Sequence, residues 1–302
     1  MNRRRFLQQT LGTAALISTA LAAPSDRRPV VAGTGDAPMV VDTNVHLFSW
    51  PFRRLKYERT ADLVTKLQRH RIGQAWAGSF EALLAKDVNA ANARLAEECR
   101  KYVDFLVPIG SVNPAWPDWE EDLRRCHEVH RMRGIRLYPR YQAFPLNAPA
   151  FARLLHLAAE RGLLIQIALE LEDPRVHHPV LHLPPIDYTA LAAAVRSVPQ
   201  ARVQLLDCTI NLQLPVAQPL VDLPNVTFDI SNFESVGILE RLLNEGGGAR
   251  RAPIPVERLL FGSHAPYFPV EAALLRLFES QLTREQLGPI MTGNAHRLLP
   301  SA

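Results

Sequence analysis

Eight short apolar runs alternate with helical segments along this chain, and the alternation restricts its fold more than any other feature. Each run is apolar enough to be buried on both faces, which is typical of parallel strands joined by crossover helices. Strands are predicted at residues 39–46, 74–79, 105–112, 134–139, 163–169, 202–208, 226–231 and 259–263. Eight such units predict an α/β fold, a (β/α)₈ TIM barrel forming a single domain over residues 39–302. A doubly wound sheet is the alternative, but no glycine-rich turn follows the first strand.

The first 23 residues have the pattern of an export signal. Arg3, Arg4 and Arg5 precede a weakly apolar run, and small residues at 20–22 give a cleavage site, so the segment resembles a twin-arginine leader. The apolar run is short for a membrane anchor. We therefore expect a periplasmic or extracellular protein with no stable membrane span after cleavage. Residues 24–38, rich in proline and glycine, are predicted to be a linker.

Charge and cysteine content exclude two classes of protein. The net charge is +4 and the arginines after the leader are scattered, so nucleic-acid binding is not indicated. Three cysteines without a CxxC pair indicate neither a disulfide framework nor a cysteine zinc site. A small-molecule substrate is the expected partner, and a homo-oligomer remains open.

Polar side chains at the ends of the predicted strands are the candidate site, because barrel enzymes work at the carboxyl ends of their strands. His46, Asp207 and His264 follow strands 1, 6 and 8. Three interpretations stay open: a divalent metal centre with zinc as first choice, metal-free catalysis with Asp207 as general base and His264 as its partner, or a hydrogen-bonded plug.

A second group of strand-end residues predicts recognition of a small anionic molecule. Arg53 and Arg136 are expected to bind a carboxylate, although a salt bridge or an exposed position is the alternative for each. Asn44 is expected to orient substrate or water. Tyr138 and Glu170 are expected to line the pocket.

Three motifs resemble the amidohydrolase superfamily, in its amidohydrolase-related (amidohydrolase 2) branch of lactonases and decarboxylases. VVDTNVH at 40–46 resembles the opening VDxHxH, LLFGSHAP at 259–266 resembles LFGSDYP, and GNAHRLL at 293–299 is similar to the closing GNAxRLF. The resemblance implies a TIM-barrel enzyme whose usual site holds a metal.

The same resemblance implies a degenerate ligand set. The family's metal-binding positions fall on Asn44, His46, Ala168, Asp207 and His264, of which His46 alone keeps the family residue. The family includes a lactonase branch that hydrolyses without metal. We therefore expect a hydrolase acting on a lactone or other acyl bond of a small carboxylated or oxygenated substrate. A catalytically silent barrel that binds an anion, and a decarboxylase, are the alternatives.

Overall fold

The computed structural model describes residues 39–208, 218–233, 235–245 and 253–300. The strands are β1 (Val40–Leu47), β2 (Ile72–Ser79), β3 (Leu106–Pro108), β4 (Gly134–Leu137), β5 (Leu164–Ala168), β6 (Arg202–Leu206), β7 (Val226–Asp229) and β8 (Leu259–Leu260). The helices are α1 (Thr60–Arg69), α2 (Val88–Arg100), α3 (Trp119–Glu128), α4 (Pro149–Glu160), α5 (Tyr188–Arg196), α6 (Gln218–Val221), α7 (Ile238–Glu245), α8 (Val270–Glu279), α9 (Arg284–Gly288) and α10 (Asn294–Leu298). The predicted leader at 1–23 and linker at 24–38 lie outside the described residues.

The eight strands are parallel and follow the order of the chain. β1 to β3 form one sheet and β4 to β8 a second. Hydrogen bonds join the two sheets at both seams: Arg136 N donates to Gly110 O at 2.6 Å, and His264 N donates to Asn44 O at 2.8 Å. Single bridges just beyond β3 and β8 therefore link the two sheets, and the predicted (β/α)₈ fold is confirmed.

Strands β3 to β8 each end one to four residues earlier than predicted. Directly after β6, Asp207 (φ 55°) adopts the left-handed conformation, and His264 (φ 58°) does so four residues after the end of β8. Residues other than glycine rarely adopt this conformation, and it is common at functional sites. The chain thus turns at two of the three residues predicted to carry chemistry.

Local sequence signals fix the helices around the barrel. The Asp87 carboxylate caps α2 by accepting from Ala90 N at 2.9 Å, and Pro149 occupies the first turn of α4. On α1, Leu63, Val64 and Leu67 form the buried face. Among the described residues, no helix is long and apolar enough to cross a membrane.

The barrel interior is layered. At the end where the strands begin, Val41, Leu164 and Leu260 pack with Ala295 and Leu299 of the α10 region in an apolar cluster. The next layer is polar, and above it lie the side chains at the strand ends. The site therefore sits on a polar floor.

Candidate active site

The floor of the site is a closed hydrogen-bond network. Arg136, Gln166 and Gln204 are in register on β4, β5 and β6, so their side chains enter the barrel at one level. Gln166 Nε2 donates to Gln204 Oε1 and to Thr43 O, at 2.8 and 2.9 Å. Gln204 Nε2 donates to Thr43 Oγ1 at 2.7 Å. The network links strands that are far apart in sequence.

All the N–H groups of the Arg136 side chain donate hydrogen bonds within the barrel interior. Its Nε donates to Gln166 Oε1 at 2.8 Å. Its two terminal nitrogens donate to the carbonyls of Val45, Thr43 and Trp76 and to a ring nitrogen of His46. The guanidinium carries five N–H groups, so none is left for a substrate carboxylate. The predicted anion-binding role of Arg136 is therefore wrong: this arginine supports the barrel interior.

Close approach of Arg136 to β2 depends on Gly78. A Cβ atom at position 78 would lie 2.8 Å from Arg136 Nη1. The missing side chain makes room for the guanidinium between the strands.

His46 is held in one tautomer by that arginine. Arg136 Nη1 lies 3.1 Å from His46 Nε2, and since a guanidinium can only donate, Nε2 accepts and the proton of the neutral ring is on Nδ1. The ring stacks on Phe80 with centroids 4.4 Å apart. Burial and the nearby Arg136 charge lower the pKa of His46 well below its usual range. His46 is therefore a neutral donor through Nδ1.

His264 is held in the opposite tautomer. Its Nε2 lies 2.9 Å from the carbonyl oxygen of Leu171, which can only accept, so Nε2 carries the proton. The lone pair on Nδ1 then faces Asp207 Oδ1 at 3.1 Å. Burial lowers the pKa of His264 to about 3. The predicted meeting of Asp207 and His264 is therefore present in the structure.

Asp207 sits at the centre of the site. Its Oδ1 accepts from Asn44 Nδ2 at 2.7 Å and from Ser231 Oγ at 3.0 Å. Burial raises the pKa of Asp207 to about 7, although these hydrogen bonds and Arg136 oppose the rise. A proton between Asp207 and His264 Nδ1 removes the repulsion between a carboxylate oxygen and a ring lone pair. The two side chains thus form one acid–base pair.

Asn44 bridges two buried carboxylates. Its Nδ2 donates one hydrogen to Asp207 and the other to Asp229 Oδ2, the latter at 2.8 Å. Asp229 also accepts from Asp207 N at 2.9 Å. A Cβ at Gly262 would lie 2.5 Å from Asp229 Oδ2, so only glycine leaves room for this carboxylate. Burial, and then the charge of Asp207, raise the pKa of Asp229.

These contacts do not fit the predicted metal ion at His46, Asp207 and His264. The lone pair of His46 points at Arg136, Nε2 of His264 is bonded to a carbonyl, and the amide of Asn44 already lies between the carboxylates. Ala168 offers no ligand. Within the described part of the chain, no group of three or more His, Cys, Asp and Glu side chains is arranged to hold a metal. The side chains as placed therefore do not fit a zinc ion at these three residues, and the metal stays a prediction.

Six buried polar atoms at the mouth have no hydrogen-bond partner among the described residues. They are Asn44 Oδ1, His46 Nδ1, Trp50 Nε1, Tyr138 Oη, Asp207 Oδ2 and His264 Nδ1. Buried polar atoms in native proteins are nearly always satisfied, by water or a ligand where not by protein. Donors and acceptors of this kind suit a small oxygen-rich molecule with a water beside it.

An aromatic layer seals this group from solvent. His46, Asp207 and His264 have no exposed surface. Trp50 lies 5.1 Å from both Phe80 and Tyr267, measured between ring centroids, and Tyr138 lies 6.0 Å from His46.

The remaining predicted residues lie at different depths. Tyr138 is in the sealed layer, and burial raises its pKa to about 12. Glu170 is half-buried and forms an ion pair with Arg140, and burial raises its pKa. Arg53 is exposed, with its Cζ 4.5 Å from the ring centroid of Tyr267. Tyr138 is thus in the sealed cluster, Glu170 is near enough for its charge to help raise the pKa of Asp207, and Arg53 is at the surface.

The sequence prediction gave no role to three supporting carboxylates, those of Asp42, Asp229 and Glu172. Asp42 accepts from Ser263 Oγ at 2.5 Å, and burial raises its pKa to about 7. Glu172 is buried and accepts from the hydroxyls of Tyr141 and Tyr267, each at 3.1 Å. Asp229 is the last residue of β7, so its position was a usable signal, whereas Asp42 lies within β1. Glu172 lies in a loop, where sequence gave none.

The family model for amidohydrolases (Amidohydro_2) matches residues 41–301. The chain belongs to the amidohydrolase family. The resemblance in its first and last strands is thereby confirmed.

Solved structures of decarboxylases share the fold. The 2,6-dihydroxybenzoate decarboxylase from Rhizobium superposes with a TM-score of 0.66 at 17% identity, covering 87% of this chain and 99% of that one. The 5-carboxyvanillate decarboxylase from Sphingomonas paucimobilis gives 0.67 at 10% identity, covering 87% and 99%. A dihydroxybenzoic acid decarboxylase from Polaromonas sp. JS666, with bound manganese and 2-nitroresorcinol, gives 0.63 at 14%, covering 87% and 97%. No curated protein matches significantly. At these identities the likeness concerns the fold alone.

Proposed function

We propose that this member of the amidohydrolase family is a hydrolase that opens a lactone or another activated acyl bond in a small oxygenated acid. The observation that carries the proposal is the buried pair of Asp207 and His264, 3.1 Å apart, with the outer oxygen of Asp207 unpartnered. A carboxylate with a pKa near 7 is matched to proton transfer at neutral pH.

In the proposed reaction, ionised Asp207 takes a proton from water through Oδ2, and the water oxygen attacks the acyl carbon. Electrons of the carbonyl bond move to its oxygen, which accepts hydrogen bonds from the unpartnered donors Trp50 and Tyr138. When the tetrahedral intermediate collapses, the leaving alkoxide takes the proton back from Asp207. The lone pair of His264 Nδ1, which faces Oδ1 at 3.1 Å, favours the protonated carboxyl between the two steps, because that oxygen then carries less negative charge.

The donor set described above argues for chemistry without a bound metal. Asn44 donates a hydrogen bond to each of the paired carboxylates, and Arg136 engages His46, the one family ligand position that keeps its histidine. Dialysis against a chelator should therefore leave the turnover of lactones such as dihydrocoumarin or carboxylated 2-pyrones unchanged. Metal analysis should find less than about one tenth of an ion per chain.

Substitution of the pair tests the assignment directly. Asp207→Asn and His264→Gln should each lower kcat about 10²- to 10⁴-fold, while circular dichroism shows folded protein. His156→Gln, at an exposed site on α4, is the matched control and should retain full activity. Unchanged turnover in both site variants would contradict the proposed roles of Asp207 and His264 in the reaction. Ligand binding without any turnover in the native protein would favour the silent barrel.

Decarboxylation is the second candidate, favoured by the aromatic surroundings of His46 and by the fold shared with three aromatic-acid decarboxylases. Release of CO₂ from 2,6-dihydroxybenzoate, with no hydrolysis of the lactones, would replace the hydrolase proposal. We also propose export to the periplasm or beyond, from the leader-like residues 1–23. Fractionation of cells expressing the full chain, with an Arg4→Lys/Arg5→Lys variant as control, tests that proposal.

A further inference from the structure

We propose that small organic acids reach the sealed site through a separate surface cavity, and that the Tyr267 side chain is the movable partition between cavity and site. The identity of the ligand rests on the proposed function, whereas the route does not.

The cavity lies beside the barrel mouth and holds about 330 Å³. Leu63 and Leu67 of α1 and Val270 at the start of α8 give it apolar walls, and Tyr57 and Tyr267 give it aromatic ones. This volume suits a molecule with a single ring.

The polar lining of the cavity is mainly cationic. Arg54, Lys56 and Lys66 line it together with one carboxylate, that of Glu271. Lys66 pairs with Glu271 and Arg54 pairs with Glu58, so Lys56, whose Nζ lies 5.4 Å from the ring centroid of Tyr57, supplies the excess positive charge. An excess of cations over an apolar floor attracts an anion with an apolar body. The ligand class is therefore a one-ring carboxylate or a lactone acid.

Two neighbouring aromatic side chains separate this cavity from the site. Tyr267 and Phe268 both line the cavity, and their ring centroids lie 5.1 and 5.4 Å from that of His264 on the other side. Of the two, Tyr267 is the one that also packs against Trp50 in the aromatic layer over the site. Rotation of the Tyr267 ring would therefore join the two spaces.

A hydrogen bond and a stacked cation hold the partition closed. The Tyr267 hydroxyl donates to Glu172 Oε2 at 3.1 Å, and Arg53 covers the outer face of the ring. Glu172 also accepts from Tyr141, so the loops after β4, β5 and β8 meet at this carboxylate. An arriving carboxylate that draws Arg53 away would leave the hydrogen bond to Glu172 and the packing against Trp50 and Phe268 as restraints.

Chemical labelling of His264 measures the route without any assumption about turnover. Diethylpyrocarbonate acylates neutral imidazole nitrogens, and its rate at His264 can be followed by peptide mass spectrometry and divided by the rate at exposed His156. Tyr267→Ala should raise this ratio at least ~10-fold, because the closed state no longer limits access. Tyr267→Phe, which loses only the bond to Glu172, should give a smaller increase.

A blocking substitution separates the cavity route from simple loss of packing. Leu55 is half-buried and lines the cavity, so Leu55→Trp should fill it and lower the ratio at least ~3-fold in the Tyr267→Ala background. Leu275→Trp, on the exposed face of α8, is the control and should change nothing. If Leu55→Trp fails to slow labelling, the route is wrong even where Tyr267→Ala speeds it. If labelling behaves as expected but no lactone is hydrolysed, the route stands and the proposed function falls.

Discussion

Two adjoining layers of the barrel interior are equally buried but differ in how their polar atoms are satisfied. In the floor, Arg136, Gln166 and Gln204 are fully engaged by one another and by the backbone. In the layer above, atoms of Asn44, His46 and other mouth residues have no partner among the described residues. An unpaired buried polar group costs about 1–3 kcal/mol, so the floor is explained by stability and the mouth only by a bound molecule. Burial and polarity alone therefore do not identify a site.

The largest effect should come from breaking the floor. Arg136→Met leaves several buried acceptors unpaired and should lower the free energy of unfolding by about 3–5 kcal/mol, measured by urea denaturation. Arg100→Met, on the exposed face of α2, should change it by less than about 0.5 kcal/mol. A stable Arg136→Met protein that fails to bind substrate would show that Arg136 binds substrate and does not stabilise the floor.

Asn44→Asp, a substitution at the mouth, should destabilise the protein somewhat less than Arg136→Met does. It places a third carboxylate against Asp207 and Asp229, which the amide now bridges, and we expect a loss of about 2–3 kcal/mol at pH 8. Asn244→Asp at the exposed end of α7 is the matched control. Equal stability of the two variants would show that the carboxylates are already neutral or solvated.

A smaller effect is expected in the pH dependence of stability, which depends on Asp207. Burial raises the folded-state pKa of Asp207 to about 7, above its unfolded value of 3.8, so its contribution to stability is present below the unfolded value and is lost as the pH rises through 7. Asp207→Asn removes this dependence. Between pH 5 and pH 8, the free energy of unfolding of the variant should therefore rise relative to that of the native protein by an amount on the order of 1–3 kcal/mol, measured by urea denaturation. A difference in the free energy of unfolding that stays constant across that range would contradict the raised pKa and show that Asp207 is ionised in the unliganded site.

The smallest effect is expected outside both layers. Arg53→Gln removes the cation over Tyr267 but touches neither the floor nor the acid–base pair. We expect KM for an anionic substrate to rise about 2- to 5-fold with kcat unchanged, and stability to change by less than about 0.5 kcal/mol. A fall in kcat instead would mean that Arg53 reaches the reacting atoms.

Strand ends were predictable because their residues follow apolar runs, which is how Asp207, His264 and His46 were found. Their roles were only partly predictable. Arg136 has the same strand-end position as a substrate-binding arginine, yet its partners come from β1, β2 and β5. Glu172 was missed because no periodic pattern marks a loop residue whose tyrosine partners lie 31 and 95 positions away.

The order of apolar and amphipathic segments determined the barrel by itself, because parallel strands and their helices must bury these faces in sequence. It also determined which polar residues stand at the mouth, including Asn44 in place of a family histidine. Only the tertiary structure decided which nitrogen of His46 and of His264 carries the proton. That choice depends on a guanidinium and a carbonyl oxygen that lie about 90 residues away and meet the rings only when the barrel closes.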